Sequence, residues 1–303
     1  MVSTVAQITT WVCRFACLAV LVAAIYPDYL DAQLAIFWPW LKAQSWFQHK
    51  MFEAYLSSAA FTFWMTLFGA LIARLPFVRK IEGSKPDFKG YGKRIRWYII
   101  NFGLYNGLIY LWHMRVAKIP PDRFGEITYR VLLVELVTGI FLYDLIFYPI
   151  HVAFHKGPLF MRKMHATHHD GYERKPLTVD TVIHHHFVDG FLQVFVNVLV
   201  QQYTPFGPWR SKHLVSRMFH NIVVTYLLCE AHSGFDLPFM SHRVFPWLFG
   251  GSPRHNHHHH DGRIYYHQFF KYLDDYFGFV DGVANKKGAA LDKAGERVKE
   301  KGA

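Results

Sequence analysis

Apolar residues in this chain come in long runs, not in alternation. Residues 54–73 carry no charge over twenty positions, and residues 97–112 none over sixteen, with Trp97 and Trp112 at the two ends. About twenty apolar residues cross the hydrocarbon core of a bilayer, and tryptophan favours its interfaces. A third run, 131–150, holds only Glu135 and Asp144 as charged residues. Shorter runs follow at about 187–200 and 214–229, separated by QQYTPFGPW. Near the N-terminus, Phe15 to Tyr26 follows Arg14 without a small-residue cleavage site, which predicts a signal anchor or interfacial helix. The period is helical throughout and strand alternation is absent. The expected fold is all-α: an integral membrane helical bundle with a cytosol-facing, histidine-rich helical metal-binding domain.

Charge orients this bundle. Arg74, Arg79, Lys80, Lys85, Lys89, Lys93, Arg94 and Arg96 fill the connection 74–96 against Glu82 and Asp87 alone. The positive-inside rule places that loop in the cytosol. The chain then leaves through 97–112, turns near Pro120-Pro121 and returns through 131–150, so that His151 emerges on the cytosolic side. The runs 187–200 and 214–229 have histidine clusters on both flanks, which calls for a hairpin or two interfacial helices. The expected divisions are 1–130 (membrane helices and basic loop), 131–283 (catalytic domain) and 284–303 (charged tail). Composition agrees: 52% of residues are hydrophobic and 18% charged, below the roughly 25% of a soluble domain. The net charge of +11 sits in loops, not in an aromatic-interleaved stripe, so nucleic acid is not the expected partner. Cys13, Cys17 and Cys229 lie in apolar surroundings and form neither a disulfide framework nor a zinc-type CxxC.

The chemistry lies in the twenty histidines. HVAFH sets His151 and His155 at i, i+4. HATHH sets His165, His168 and His169 at i, i+3, i+4, and HNHHH repeats that spacing with His255, His258 and His259. On a helix such positions lie on one face a turn apart, so a pair of imidazoles can grip a single metal and a third can reach a second metal nearby. Within the second HxxHH run, His257 and His260 fall off this register and are expected as bystanders or as groups outside the ligand layer. His49, His113, His213, His242 and His267 are expected as ordinary histidines. Imidazole suits Zn, Cu, Fe and Ni, and eight histidines exceed what one tetrahedral zinc uses. HExxH, ExxH, GxGxxG, P-loop and CxxCH patterns are all absent from the chain. Spacing therefore leads to two metals at a membrane face. It leaves open an oxygenase or, as another class, a membrane metal transporter or store.

These boxes resemble those of the fatty acid hydroxylase/sterol desaturase superfamily over roughly 131–281. The most specific segment is CEAHSGFDLPFMSHRVFPWLFGGSPRHNHHHH, residues 229–260, which is similar to the sterol branch. FKYLDDYFGF, 270–279, resembles the segment that closes the domain. The resemblance implies a metal-ligand set of His151, His155, His165, His168, His169, His232, His255, His258 and His259, holding a di-iron centre. It implies O2 as co-substrate, a sterol or other lipid substrate, and electrons from a separate carrier, cytochrome b5 with its reductase, docking on the basic cytosolic face. The reaction implied is hydroxylation or methyl oxidation at an unactivated C–H bond, with desaturation on the same metals as the alternative. His186, at the offset of a family HPxE-like segment from Asp189, and His220 are further candidate ligands. Asp144 lies two helical turns before His151, and Glu230 lies two residues before His232. Both are candidates to orient an imidazole through its second nitrogen. Lys299 and Lys301 near the end resemble a dilysine signal, which predicts the endoplasmic reticulum membrane.

Overall fold

Local signals set the helix ends. The computed structural model describes residues 4–75, 78, 80–81, 99, 102–103, 105–107, 109–111, 125–169, 177–202 and 212–280. Among them are α1 (Thr4–Ala23), α2 (Asp28–Lys42), α3 (Phe52–Thr66), α4 (Tyr129–Lys156), α5 (Leu159–His169), α6 (Phe187–Gln202), α7 (Leu214–His232), α8 (Ser241–Val244), α9 (Gly251–Asp261) and α10 (Tyr272–Phe277). The Thr128 hydroxyl caps α4 by accepting from Val131 N–H at 3.3 Å, and the His213 ring caps α7 through Val215 N–H at 3.2 Å. Gly262 closes α9 at φ +67, a conformation that glycine adopts without steric penalty. The described residues contain no strand, only isolated bridges Lys80–Phe235 and Phe249–Phe270.

Among the described residues, three helical stretches are long and apolar enough to cross a membrane: Thr4–Ala23, Phe52–Arg74 and Tyr129–Lys156. The first starts earlier than the run 15–26 suggests, because the polar Thr4–Thr10 segment continues the same helix. The second continues from α3 through a π turn at Leu67–Leu71 and a 3-10 turn at Ile72–Arg74. Within 97–112, positions 99, 102–103, 105–107 and 109–111 are helical. Most of the basic connection 74–96, the Pro120-Pro121 turn, residues 203–211 and the tail 284–303 lie outside the described residues.

Side-chain contacts give the directions of the helices. Arg217 of α7 pairs with Glu53 of α3 at 2.7 Å, the Trp64 indole donates to Ile222 O at 3.1 Å, and Phe68 shares a core with Cys229. α3 and α7 therefore run the same way. α4 runs with them, since Glu135 accepts from His213 N–H at 3.0 Å and its C-terminal end reaches the same region as that of α7. α6 runs back, with Asp189 near the histidines and Gln201 donating to Asn221 at 2.9 Å. α6 and α7 thus form the hairpin that the flanking histidine clusters call for. The interior of this bundle is apolar, with Ile140, Tyr143, Phe147, Val196, Val224 and Leu227 in one cluster.

Candidate metal centre

Four helices deliver imidazoles to one end of the bundle. The last turns of α4 bring His151 and His155, α5 brings His165, His168 and His169, α7 ends on His232, and α9 brings His255, His258 and His259. Two groups result. His151, His155, His165, His169 and His258 form one, and His168, His232, His255 and His259 the other, with the nitrogens of each group within 4.8 Å of one another. The groups adjoin: the rings of His169 and His259 stack with centroids 4.3 Å apart. All nine histidines named from the sequence are in this cage. His257 and His260 of the same run are only half-buried, as their register requires.

The outward nitrogens fix how the rings face. His151 Nδ1 donates to Tyr266 O at 2.7 Å, His258 Nδ1 to Ile264 O at 2.7 Å, His168 Nδ1 to His184 O at 3.1 Å and His232 Nδ1 to Leu228 O at 2.8 Å. His165 Nδ1 donates to the Asp189 carboxylate at 2.8 Å. A neutral ring that donates from Nδ1 presents a bare lone pair at Nε2. Yet His151 Nε2 and His165 Nε2 lie 3.2 Å apart, as do His168 Nε2 and His232 Nε2. Two lone pairs at that distance repel unless a cation stands between them. The Nε2 atoms of His155, His169 and His258 are also buried with no hydrogen-bond partner. Buried polar atoms are rarely left this way, and each costs about 1–3 kcal/mol. The arrangement fits two cations bound by nitrogen, and no carboxylate belongs to either group. An all-imidazole set accommodates iron among the first-row metals.

Burial also sets the protonation state. It pushes His232 down to about 4 and His169 to about 3, and holds His165, His168, His255, His258 and His259 well below the ordinary value. Neighbouring imidazoles add to the effect for most of these rings, since two protonated rings side by side repel. Neutral rings are the form that a metal needs.

The supporting residues differ from those the spacing suggests. Asp144 does not hold His151: its Oδ1 accepts from Phe269 N–H at 2.7 Å. Glu230 does not hold His232: its Oε1 accepts from Ser241 N–H at 2.9 Å and from the Ser241 hydroxyl at 2.6 Å. A spacing of two or seven residues says nothing about which backbone crosses in front of a carboxylate. The work falls to Asp189, and at one remove to Asp274. The Asp274 carboxylate accepts from Tyr266 N–H and His267 N–H, each at 3.0 Å, and from the Tyr148 hydroxyl at 2.9 Å. This holds the loop whose Tyr266 carbonyl orients His151. His186 is exposed, and the ring that Asp189 meets is His165. His220 is buried away from the cage and bonds Asn197 at 2.9 Å.

Comparison with known proteins gives one family. Residues 136–279 match the model of the fatty acid hydroxylase family. A cholesterol 25-hydroxylase-like protein of Danio rerio is 25% identical over 191 residues, covering 60% of this chain and 71% of the relative. One of Caenorhabditis elegans is 22% identical over 265 residues, covering 82% and 83%. The cholesterol 25-hydroxylase of Rattus norvegicus is 26% identical over 220 residues, 70% of each chain. No solved structure gives a significant match.

Proposed function

Taking residues 136–279 as a fatty acid hydroxylase domain, we propose that this chain is a membrane-bound di-iron oxygenase. It hydroxylates an unactivated C–H bond of a sterol or related lipid, with O2 as co-substrate. The observation that carries the reading is the pairing of bare, buried Nε2 atoms in two adjoining groups of five and four histidines. When bound, two iron ions supply the oxidising chemistry with O2 that saturated carbon requires.

The residues of the chain do the rest. His151, His155, His165, His169 and His258 hold one ion and His168, His232, His255 and His259 the other. The carbonyls of Tyr266, Ile264, His184 and Leu228 fix the orientation of four of these rings. Asp189 sharpens the donor character of His165. The aromatic residues Phe147 and Phe154 pack against the cage end of α4 and keep water from it. The ligands sit at the ends of α4 and α7 and on α5 and α9, outside the middle of any candidate span. That favours an enzyme over an ion path, which places its ligands at mid-membrane. Electrons come from a separate carrier, cytochrome b5 with its reductase, on the cytosolic face of the endoplasmic reticulum.

The test is a lipid analysis under 18O2 of cells that do and do not express the chain. A sterol carrying one 18O atom, absent from control cells, is the expected result. A new double bond without oxygen makes the chain a desaturase, and metal flux in vesicles without oxidation makes it a transporter. Asp189→Leu is expected to lower iron affinity about 10- to 100-fold, read by competition with a chelator. Asp189→Asn, which still accepts from His165, should keep most of the affinity. Equal loss in the two variants would remove Asp189 from its orienting role.

A further inference from the structure

One short stretch, residues 177–184, touches the group of four without giving it a ligand. Its tie to the rest of the chain is Lys80, which is buried although it belongs to the basic connection after α3. A buried ammonium is costly unless its protons are taken up. Lys80 Nζ donates to Leu177 O at 2.6 Å and to Ser233 O, and it stands over the Phe235 ring at 4.1 Å. The Asp180 carboxylate, also buried, supplies opposite charge nearby. The backbone follows the same line: Lys80 bridges to Phe235, and Ile81 N–H donates to Gly234 O at 2.9 Å. Gly234 has φ +67, and a Cβ there would collide with Leu177 O, so glycine is what lets the chain turn this close to Leu177. Val78, Val179, Val182 and Phe235 share one apolar core, so the stretch is packed as well as bonded.

Leu177 is held from both sides. Its carbonyl accepts from Lys80, and its N–H donates to Asn256 Oδ1 at 3.0 Å. Asn256 is buried on α9 beside His255, at the position that interrupts the histidine run. Ser233, whose carbonyl also accepts from Lys80, directly follows His232. From Leu177 the chain passes through the 3-10 turn Val179–Ile183 to His184, whose carbonyl accepts from His168 Nδ1 at 3.1 Å. The stretch therefore meets the chain neighbours of His255 and His232 and the ring of His168. With His259, these three make up the group of four. The group of five is oriented from other places, by Tyr266 O, Ile264 O and Asp189.

We infer that Lys80 and Asn256 are positioning residues for the group of four: through Leu177 they clasp the stretch 177–184 to the end of α7 and to α9, and so set the spacing of His168, His232 and His255. Neither belongs to the ligand set. Lysine suits the task because one ammonium donates to carbonyls of two separate segments at once. This rests on the two-metal reading above and adds what aligns one of its two sites.

The test is anaerobic competition between a ferrous chelator and the full-length iron-loaded chain in detergent, with the release of each ion followed separately. The wild-type chain should hold two ions. In Lys80→Met, which keeps the length of the side chain and loses its donors, one ion should be held about tenfold more weakly and the other within about twofold of wild type. Asn256→Leu should likewise loosen one ion, whereas Asn256→Asp, which still accepts from Leu177 N–H, should stay within about threefold of wild type. The double variant Lys80→Met/Asn256→Leu should be no more than about threefold weaker than either parent, because both changes release the same residue. Added to His258→Ala, which leaves only the group of four complete, Lys80→Met should loosen the remaining ion about tenfold. Equal loosening of both ions would report a general loss of stability and overturn the clasp. So would unchanged release in both single variants, or a loss of about a hundredfold in the double variant, the product of two independent effects. If Lys80→Met does not fold, Asn256→Leu against Asn256→Asp decides the same question. A wild-type chain that holds fewer than two ions removes the two-metal reading and the clasp with it.

Discussion

On the di-iron proposal, His258→Ala is expected to abolish turnover and to remove about one of two iron ions, while the chain still inserts and keeps its helical content. His258 is fully buried, and its ring lies 4.6 Å from His155, 4.7 Å from His151 and 4.9 Å from His169 between centroids. It is the one ring of α9 in the group of five, so its loss detaches that helix from the group. His255 and His259 remain with His168 and His232, so the group of four stays complete. The fold survives because alanine favours helix and the ring makes only one backbone hydrogen bond, to Ile264 O. Iron analysis of the purified variant beside circular dichroism checks this. Full activity, or unchanged iron content, would defeat the assignment of His258. His257→Ala is the matched control, since that neighbouring ring lies off the register and packs on Tyr265 at 5.6 Å.

Acid is expected to unfold the metal-free chain at a pH where most carboxylates are still ionised. An unfolded histidine takes up its proton near 6.5, whereas burial holds folded His232 down to about 4 and His169 to about 3. Between those values the unfolded chain binds more protons than the folded one, so stability falls as the pH falls. The contribution is complete above 6.5 and is lost progressively towards 4 and 3. His165, His168, His255, His258 and His259 shift the same way, so the slopes add. A drop in melting temperature on the order of 10 °C or more is expected between pH 7 and pH 5. Thermal unfolding of the metal-free chain in detergent measures it. Metal binds neutral imidazole only, so on the proposed reading the iron-loaded chain should melt higher at pH 7 and converge on the metal-free curve as the pH drops. A flat profile from pH 7 to pH 5 would mean that the rings are hydrated in the folded chain.

Those parts of the site that depend on local spacing are legible in the sequence. HxxxH and HxxHH each define one helix face, and α4, α5 and α9 present those faces inward. His257 and His260 point away for the same reason. His232 has no such spacing. It enters only through its resemblance to a family segment, and the cage then receives it from the end of α7. His220 shows the reverse: a histidine on a helix that reaches the cage, placed about 18 Å short of it at the helical rise per residue.

By itself the sequence determined the helical class, two of the stretches able to span a membrane, and which histidines of each box line one helix face. Each of these follows from the rise and the 100° turn per residue, which are the same in every α-helix. The tertiary structure alone decided that His168 leaves His165 and His169 for the other group, and that His258 parts from His255 and His259. Residues at i, i+3 and i+4 diverge slightly around the helix, and the crossing of the neighbouring helices decides where the line between the two groups falls. It also decided which atoms hold the rings. Four of the five anchors are backbone carbonyls, which every residue type supplies, so no side-chain pattern marks them.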